Sequence, residues 1–160
     1  MTQLPLAESV WALSLTTIAI STVGSLLPFS PIEPFLLALP AVAPRAWLVP
    51  LALLATVCHM AAKILLYVAS RGAARVIPER YRGHVERTRE RLLSSPRTKA
   101  LTILASSAVG LPPLYVVTVL SGALRLPLLE FVVPATIGRA IRFVALVTLP
   151  TLLARWVDIF

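Results

Sequence analysis

The chain has 160 residues, of which 58% are hydrophobic and 14% are charged, and its mean hydropathy is +0.85. Water-soluble domains are about 45–50% apolar and about 25% charged, and a soluble chain of this length could not bury so much apolar surface. The composition therefore excludes an ordinary soluble domain and predicts one integral membrane domain. Cys58 is the one cysteine in the sequence, which excludes a disulfide framework and a cysteine-based metal site.

Charge is distributed unevenly along the chain. Apolar stretches cover approximately 9–43, 46–70, 100–124 and 126–154, and charged side chains are rare within them. Residues 71–99 carry nine Lys or Arg and three Glu, a balance of +6 out of a formal net charge of +8. Because Lys and Arg accumulate in the cytoplasmic connections between spans, this segment is predicted to be cytoplasmic. Because the excess positive charge is confined to this one connection, it argues against nucleic-acid binding.

Proline clusters interrupt two of the apolar stretches, at residues 28–34 and 110–114. Proline lacks a backbone donor and clashes with the preceding helical turn, so such clusters end helices. Freed backbone groups cannot face lipid, and we therefore expect two re-entrant helical hairpins, with two kinked spans as the alternative. The residues of these breaks are Pro28, Pro31, Pro34, Gly110, Pro112 and Pro113.

Each predicted hairpin is followed by a stretch long enough to cross a bilayer, which takes about 20 residues. The first hairpin and its span are predicted over 9–70 and the second over 100–154, joined by the basic segment 71–99. If each hairpin returns to its own side, the all-helical halves form an inverted repeat, as in many transporters. In the alternative arrangement, residues 9–27 cross the membrane and the N-terminus is cytoplasmic.

The basic connection also shows helical spacing between residues 76 and 93. Apolar residues recur at close to helical intervals, and arginines lie between them. The pattern predicts an amphipathic helix on the anionic cytoplasmic leaflet, with a solvated linker as the alternative. The apolar positions are Ile77, Tyr81, Val85, Leu92 and Leu93, with Pro78 at a first helical position and Ser94–Pro96 at the end.

A line of polar residues follows one face of the span 46–70. Its members recur at intervals of three and four residues, as on one side of a helix. A polar line on an apolar span must face protein or a cavity. Lys63 has the alternative of extending to the nearer interface, and His59 that of a packing residue. The line consists of Thr56, His59, Lys63, Tyr67 and Ser70.

Three further ionisable residues lie in the breaks or spans. Arg139 and Arg142 are three residues apart near the middle of the last span, and their paired planar donors match the oxygens of a phosphate. Glu33, in the first break, is predicted to be a countercharge to the cations or a proton carrier. Its alternative role is to stabilise the N-terminus of the following helix through the helix dipole.

Four segments together resemble the DedA superfamily of VTT-domain proteins, and most closely its short YqaA-like branch. The resemblance implies a bacterial inner-membrane protein with opposed re-entrant hairpins that moves phospholipids or undecaprenyl phosphate between leaflets. It places the acidic residue of the first hairpin at Glu33 and the Gly-Arg/Lys-x-x-Arg pattern at Gly138, Arg139 and Arg142. The segments are PIEPFLL (31–37), SSAVGLPPLY (106–115), LSGAL (120–124) and GRAIRF (138–143).

The chain departs from that family at two places that bear on function, and one is a second acidic residue in the first span that has no counterpart around Ser21. DedA proteins proper carry two arginines in the second hairpin, where this chain has Ser106, Ser107, Pro112 and Pro113. We expect the spans to supply the missing positive charge instead.

The sequence thus predicts a lipid flippase or scramblase. An anionic headgroup would bind in a polar cavity between the hairpins, at His59, Lys63, Arg139 and Arg142, while its tails stay in lipid. The sequence contains no nucleotide loop, metal cluster or nucleophile elbow, so no enzymatic activity, metal or cofactor is expected. A non-transporting scaffold and a small-ion transporter or channel are the alternatives. Small residues permit close helix packing, within one chain or between copies in a homo-oligomer.

Overall fold

The computed structural model describes residues 6–26, 32–71 and 82–157, and every regular element within these ranges is an α-helix. The all-helical fold predicted from the sequence is thereby confirmed for this part of the chain. The structure divides into a first unit, residues 1–59 with 143–160, and a second unit, residues 60–142. The described helices are α1 (Leu6–Leu26), α2 (Ile32–Val42), α3 (Arg45–Ser70), α4 (Arg82–Leu93), α5 (Pro96–Val109), α6 (Leu114–Ala123) and α7 (Leu128–Val157).

Within the described ranges, two helices are long and apolar enough to cross a membrane, namely α3 and the part of α7 from Leu128 to Pro150. Only 50% of the apolar stretch of α3 and 33% of that of α7 is buried, whereas the central helix of a soluble protein is buried nearly all round. The polar line of α3 is buried, while large apolar residues on its other sides are exposed. The exposed residues include Leu53, Val57, Leu65 and Val68.

The second break joins α5 to α6 through residues 110–113. Gly110 has a φ of 91°, a left-handed conformation favoured for glycine, and its N–H donates to the carbonyl oxygen of Ser106. Gly110 therefore ends α5 and Pro113 precedes α6, as the sequence predicts. The two helices contact each other, so the break forms a helical hairpin. Its re-entrant insertion into a bilayer stays a prediction, as does the inverted repeat.

The first break lies partly outside the described residues, and these include Pro28 and Pro31. The predicted placement of Pro34 in the break is wrong, because α2 begins at Ile32. The first N–H groups of a helix have no partner within it, so proline is tolerated in the first turn. Glu33 lies in the same turn, inside the helix and not ahead of it as predicted. Because α1 and α2 contact each other, this half also contains a pair of adjacent helices.

The basic connection is helical over its described part, α4. Thr88 and Leu92, one turn apart, are buried, and α4 contacts α5 and α6. Leu93, the other apolar residue at this end of α4, is exposed. Contact of α4 with the anionic leaflet stays a prediction. Arg87, Arg89 and Arg91 are exposed as expected, and the predicted positions Ile77, Pro78 and Tyr81 lie outside the described residues.

α5 begins at Pro96, earlier than the predicted start at residue 100. The Ser95 side chain accepts a hydrogen bond of 3.3 Å from the N–H of Thr98, which satisfies a donor of the first turn. Pro96 follows at the first helical position, where its missing N–H is not needed. The same residues separate α4 from α5, so the predicted end of α4 is confirmed.

Each unit has an apolar core of its own. In the first unit the core is built from α2, the first half of α3 and the second half of α7, with Leu36, Leu51 and Phe143 among its fully buried members. In the second unit the core is built from the second half of α3, from α4, α5 and α6, and from the first half of α7. Tyr67, Ile103 and Phe131 are fully buried there. These cores fix the helices that carry the charged residues described next.

Candidate functional site

Lys63 and Arg139 bring two positive charges into the interior of the second unit. Lys63 lies on α3 and Arg139 on α7, and only 3% and 6% of their surfaces are exposed. The two side chains are close enough for their charges to repel each other. The low exposure of Lys63 contradicts the alternative in which it extends to water. Two of the residues predicted to bind a headgroup are therefore brought together.

The ring of Tyr115 covers the ammonium group of Lys63. Nζ lies 5.3 Å from the ring centroid, within the range of a cation–π interaction. Tyr115 is the second residue of α6, immediately after the break, and it is half-buried. Sequence reasoning missed its role, because the spacing of residues along α6 does not show which helix the ring will face.

Arg142 contacts the second break directly. Its Nη1 donates a hydrogen bond of 3.1 Å to the carbonyl oxygen of Ala108, in the last turn of α5. In a continuing helix that carbonyl would accept from the N–H of residue 112, but Pro112 has none. The last carbonyls of a helix also carry the negative end of its dipole, which favours a cation there. Arg142 thus supplies the donor that the proline lacks.

Two further carbonyl groups of the break accept hydrogen bonds within the second unit. Ser106 Oγ donates to the carbonyl oxygen of Pro112 at 2.5 Å. The carbonyl oxygen of Pro113 accepts from the N–H groups of Val116 and Val117 at 3.0 and 3.2 Å. Backbone groups at membrane depth must be paired inside the protein, and the Pro112 and Pro113 carbonyls are paired in this way. It confirms the prediction that residues 110–113 interrupt the helix at a defined place.

A close crossing of α5 and α7 places Arg139. Ser107 Oγ donates to the carbonyl oxygen of Ala135 at 2.5 Å. A Cβ at Gly138 would lie 2.6 Å from the carbonyl oxygen of Leu104, so only glycine fits at this point. Small residues at such crossings allow helix backbones to approach closely. The structure gives Gly138, named earlier only through a family resemblance, a packing role beside Arg139.

The predicted polar line on α3 is confirmed as one buried face. Thr56, His59, Lys63, Tyr67 and Ser70 are all buried. Three of the hydroxyls are bonded to the backbone: Thr56 Oγ1 to Ala52 at 2.9 Å, Ser70 Oγ to Tyr67 at 2.8 Å, and Tyr67 Oη to Leu126. The last bond and the stacking of the Tyr67 and Phe131 rings, at a centroid distance of 5.4 Å, join α3 to the start of α7.

His59 and Glu33 lie in the first unit. The buried His59 ring packs edge-on against Phe143, with ring centroids 5.6 Å apart and an interplanar angle of 85°. This contact agrees with the packing alternative for His59. Glu33 is half-buried in the first turn of α2, where the helix dipole favours a carboxylate. Headgroup binding by His59 and a countercharge role for Glu33 stay predictions.

Comparison with known proteins gives no match to a protein-family model, a curated protein or a solved structure. Membership of the DedA superfamily therefore stays a prediction. Within residues 6–26, 32–71 and 82–157, no group of three or more His, Cys, Asp or Glu side chains is placed to hold a metal ion. The chemistry of the described site is that of buried cations, hydroxyls and one aromatic ring.

Proposed function

We propose that this chain is a membrane protein that moves lipids with an anionic headgroup, a phospholipid or a polyprenyl phosphate, between leaflets. The observation that carries the proposal is the burial of Lys63 and Arg139 within electrostatic range of each other. One ionised residue at the bilayer centre costs about 2.5–3.5 kcal/mol on insertion scales, and a nearby like charge adds to that cost. A phosphate group bound to both cations offsets it through charge-assisted hydrogen bonds.

The surface of the spans supports a lipid environment. α3 and α7 are long and apolar enough to cross a bilayer. Val57 and Leu65, both 65% exposed, lie on the same helix as the buried polar line. Water would favour the reverse arrangement, with polar residues outside and apolar residues inside. Lipid around α3 accounts for both observations.

The two cations are suited to different parts of headgroup binding. Arg139 presents a rigid, planar set of donors that can hold two phosphate oxygens at once. Lys63 carries a compact charge on a flexible stem, which can follow a headgroup as it moves. The Tyr115 ring covers that ammonium group, so binding of a phosphate to Lys63 displaces the ring or shares the cation with it. The acyl or polyprenyl tails stay in lipid throughout.

A lipid-flip assay tests the proposal. The purified full chain is reconstituted into liposomes that contain a fluorescent anionic phospholipid, and movement between leaflets is followed by quenching from outside. The wild-type chain is expected to move the lipid, and Lys63→Gln with Arg139→Gln is expected to slow it at least about tenfold, because hydrogen bonds to charged groups contribute about 1.5–3 kcal/mol. Arg97→Gln is the matched control, since Arg97 is an exposed cation in the first turn of α5. A wild-type chain that leaves the lipid in place contradicts the proposal.

A non-transporting scaffold is the second candidate, and the contact of Arg142 favours it. That side chain fixes two helices of the second unit together through the carbonyl of Ala108, which is a purely structural use of charge. In this case the Lys63 and Arg139 variants lose stability and show no separate transport defect. Thermal unfolding of the same purified variants distinguishes the candidates, because headgroup binding predicts lost transport in folded protein.

A further inference from the structure

We propose that Arg142 is a positioning residue, which holds the break between α5 and α6 and thereby keeps Tyr115 over Lys63, and that it does not itself bind the headgroup. The two arginines of the Gly-Arg-x-x-Arg segment thus have different roles. Its part about the headgroup rests on the proposed function, whereas its part about the break stands on the contacts alone. All the residues involved lie in the second unit.

Arg142 contacts the break between α5 and α6 at two points. Its Nη1 bonds to the Ala108 carbonyl oxygen, which has no N–H to accept from at Pro112. The guanidinium also lies against Gly110, because a Cβ built there would be 3.3 Å from Nη1. Arg142 therefore contacts both the last turn of α5 and the residue that ends it. Removal of this side chain takes the donor away from the carbonyl of the half-buried Ala108 at the corner.

The break is bonded in turn to the first turn of α6. The carbonyl oxygens of Pro112 and Pro113 are bonded to Ser106 on one side and to Val116 and Val117 on the other. Proline also fixes the backbone φ at two successive positions. The direction in which α6 leaves α5 is therefore set by the corner that Arg142 holds. Tyr115 lies in that first turn, so the position of its ring follows from the same geometry.

Tyr115 connects this turn of α6 to the buried cations. The ring lies over Lys63 Nζ at 5.3 Å, and Lys63 interacts electrostatically with Arg139. Arg139 is buried, whereas the half-buried Arg142 is directed at the end of α5. The two arginines thus have different surroundings despite their spacing of three residues. Arg139 belongs with Lys63, and Arg142 with the corner.

Hydrogen–deuterium exchange of the purified full chain tests the structural part. The variants are Arg142→Met, which removes the donors, Arg142→Lys, which retains a charged donor, and Arg139→Met as the matched control. In Arg142→Met, amides of Gly110, Val116 and Val117 are expected to exchange about tenfold faster, because one hydrogen bond from a charged group is lost. Arg142→Lys is expected to restore part of the protection, and Arg139→Met to leave it unchanged. Unchanged exchange in Arg142→Met, or equal acceleration in Arg139→Met, overturns the proposal.

Binding of short-chain phosphatidic acid to the same proteins tests the part about the headgroup. We expect Arg139→Met to weaken binding about tenfold, through loss of a charge-assisted hydrogen bond, and Arg142→Met to leave affinity unchanged while it slows lipid movement. Equal loss of affinity in both variants overturns the proposed division. If the wild-type chain neither binds nor moves the lipid, the proposed function fails, and the exchange result still decides the role of Arg142.

A further variant covers the case in which Arg142→Met does not fold. Gly110→Ala brings a Cβ against the guanidinium and strains a residue with φ of 91°, so it disturbs the same corner from the other side. It is expected to speed exchange of the same amides. Protection equal to that of the wild type in Gly110→Ala overturns the role of the corner.

Discussion

Tyr115 presents its ring to the ammonium nitrogen of Lys63, at 5.3 Å from the ring centroid. A cation is attracted to the face of an aromatic ring, and the interaction contributes about 0.5–2 kcal/mol, most when water is excluded. Tyr115→Leu is therefore expected to lower the free energy of unfolding by about that amount. Tyr115→Phe keeps the ring and serves as the control. Denaturant titration in detergent measures both, and equal effects of leucine and phenylalanine contradict the cation–π assignment.

Gly138 permits the close approach of α7 to α5. In Gly138→Ala the new Cβ would lie 2.6 Å from the backbone carbonyl oxygen of Leu104, which cannot move aside as a side chain could. We expect a loss of about 1–3 kcal/mol, as for other overpacked sites. Ile137→Ala is the control in the same helix, because Ile137 is exposed. A Gly138→Ala protein with wild-type stability by the same titration would show that the helices can separate without penalty.

Ser107 joins the same two helices by a side-chain hydrogen bond. Its Oγ donates to the carbonyl oxygen of Ala135 inside the second unit. Ser107→Ala removes the bond with little change in volume, and we expect a loss of about 1 kcal/mol. Ser94→Ala is the comparison, since Ser94 Oγ makes an exposed local bond to Arg91. Thermal unfolding of the two variants at matched detergent concentration checks the difference. If both unfold at the same temperature, the Ser107–Ala135 hydrogen bond makes no net contribution to stability.

Lys99 and Glu130 form an ion pair at the surface, with an Nζ–Oε2 distance of 2.6 Å. The Glu130 side chain is 46% exposed, so water screens much of the attraction. A double-mutant cycle with Lys99→Gln and Glu130→Gln is expected to give a coupling of only about 0.2–1 kcal/mol. The coupling is expected to shrink as salt is added. A larger coupling that does not depend on salt would show that the pair is shielded from solvent.

The sequence was sufficient for those features that a single helix determines by itself. The spacing of Thr56, Lys63 and Ser70 follows the helical repeat, so their common burial could be read from the intervals. The proline pair at 112–113 predicts the end of a helix, because proline has no backbone N–H to donate to the preceding turn. Isolated prolines are a different case, since Pro50 lies inside α3.

The remaining features depend on contacts between helices that are distant in sequence. Periodicity shows that Tyr67 and Lys63 share a face, but it does not show that Leu126 and Tyr115 will meet them. The two arginines of the last span could be assigned to one phosphate site because their spacing is helical. Their different surroundings depend on where α5 ends, at Gly110, and on the crossing of α5 and α7 at Gly138. The start of α5 is hard to predict because Ser94–Pro96 also ends α4, and Ser95 acts as the cap of the following helix.

The burial of Leu92 has a practical consequence for anyone who shortens this protein. The charged segment 71–99 is an obvious target for deletion, because its composition resembles that of a flexible linker. Leu92 is fully buried in one cluster with Ile103 and Val117. Deletion of α4 would therefore expose an apolar surface on the hairpin that bears Tyr115. A trimmed protein is therefore expected to aggregate, or to lose the proposed lipid transport, for reasons unrelated to charge.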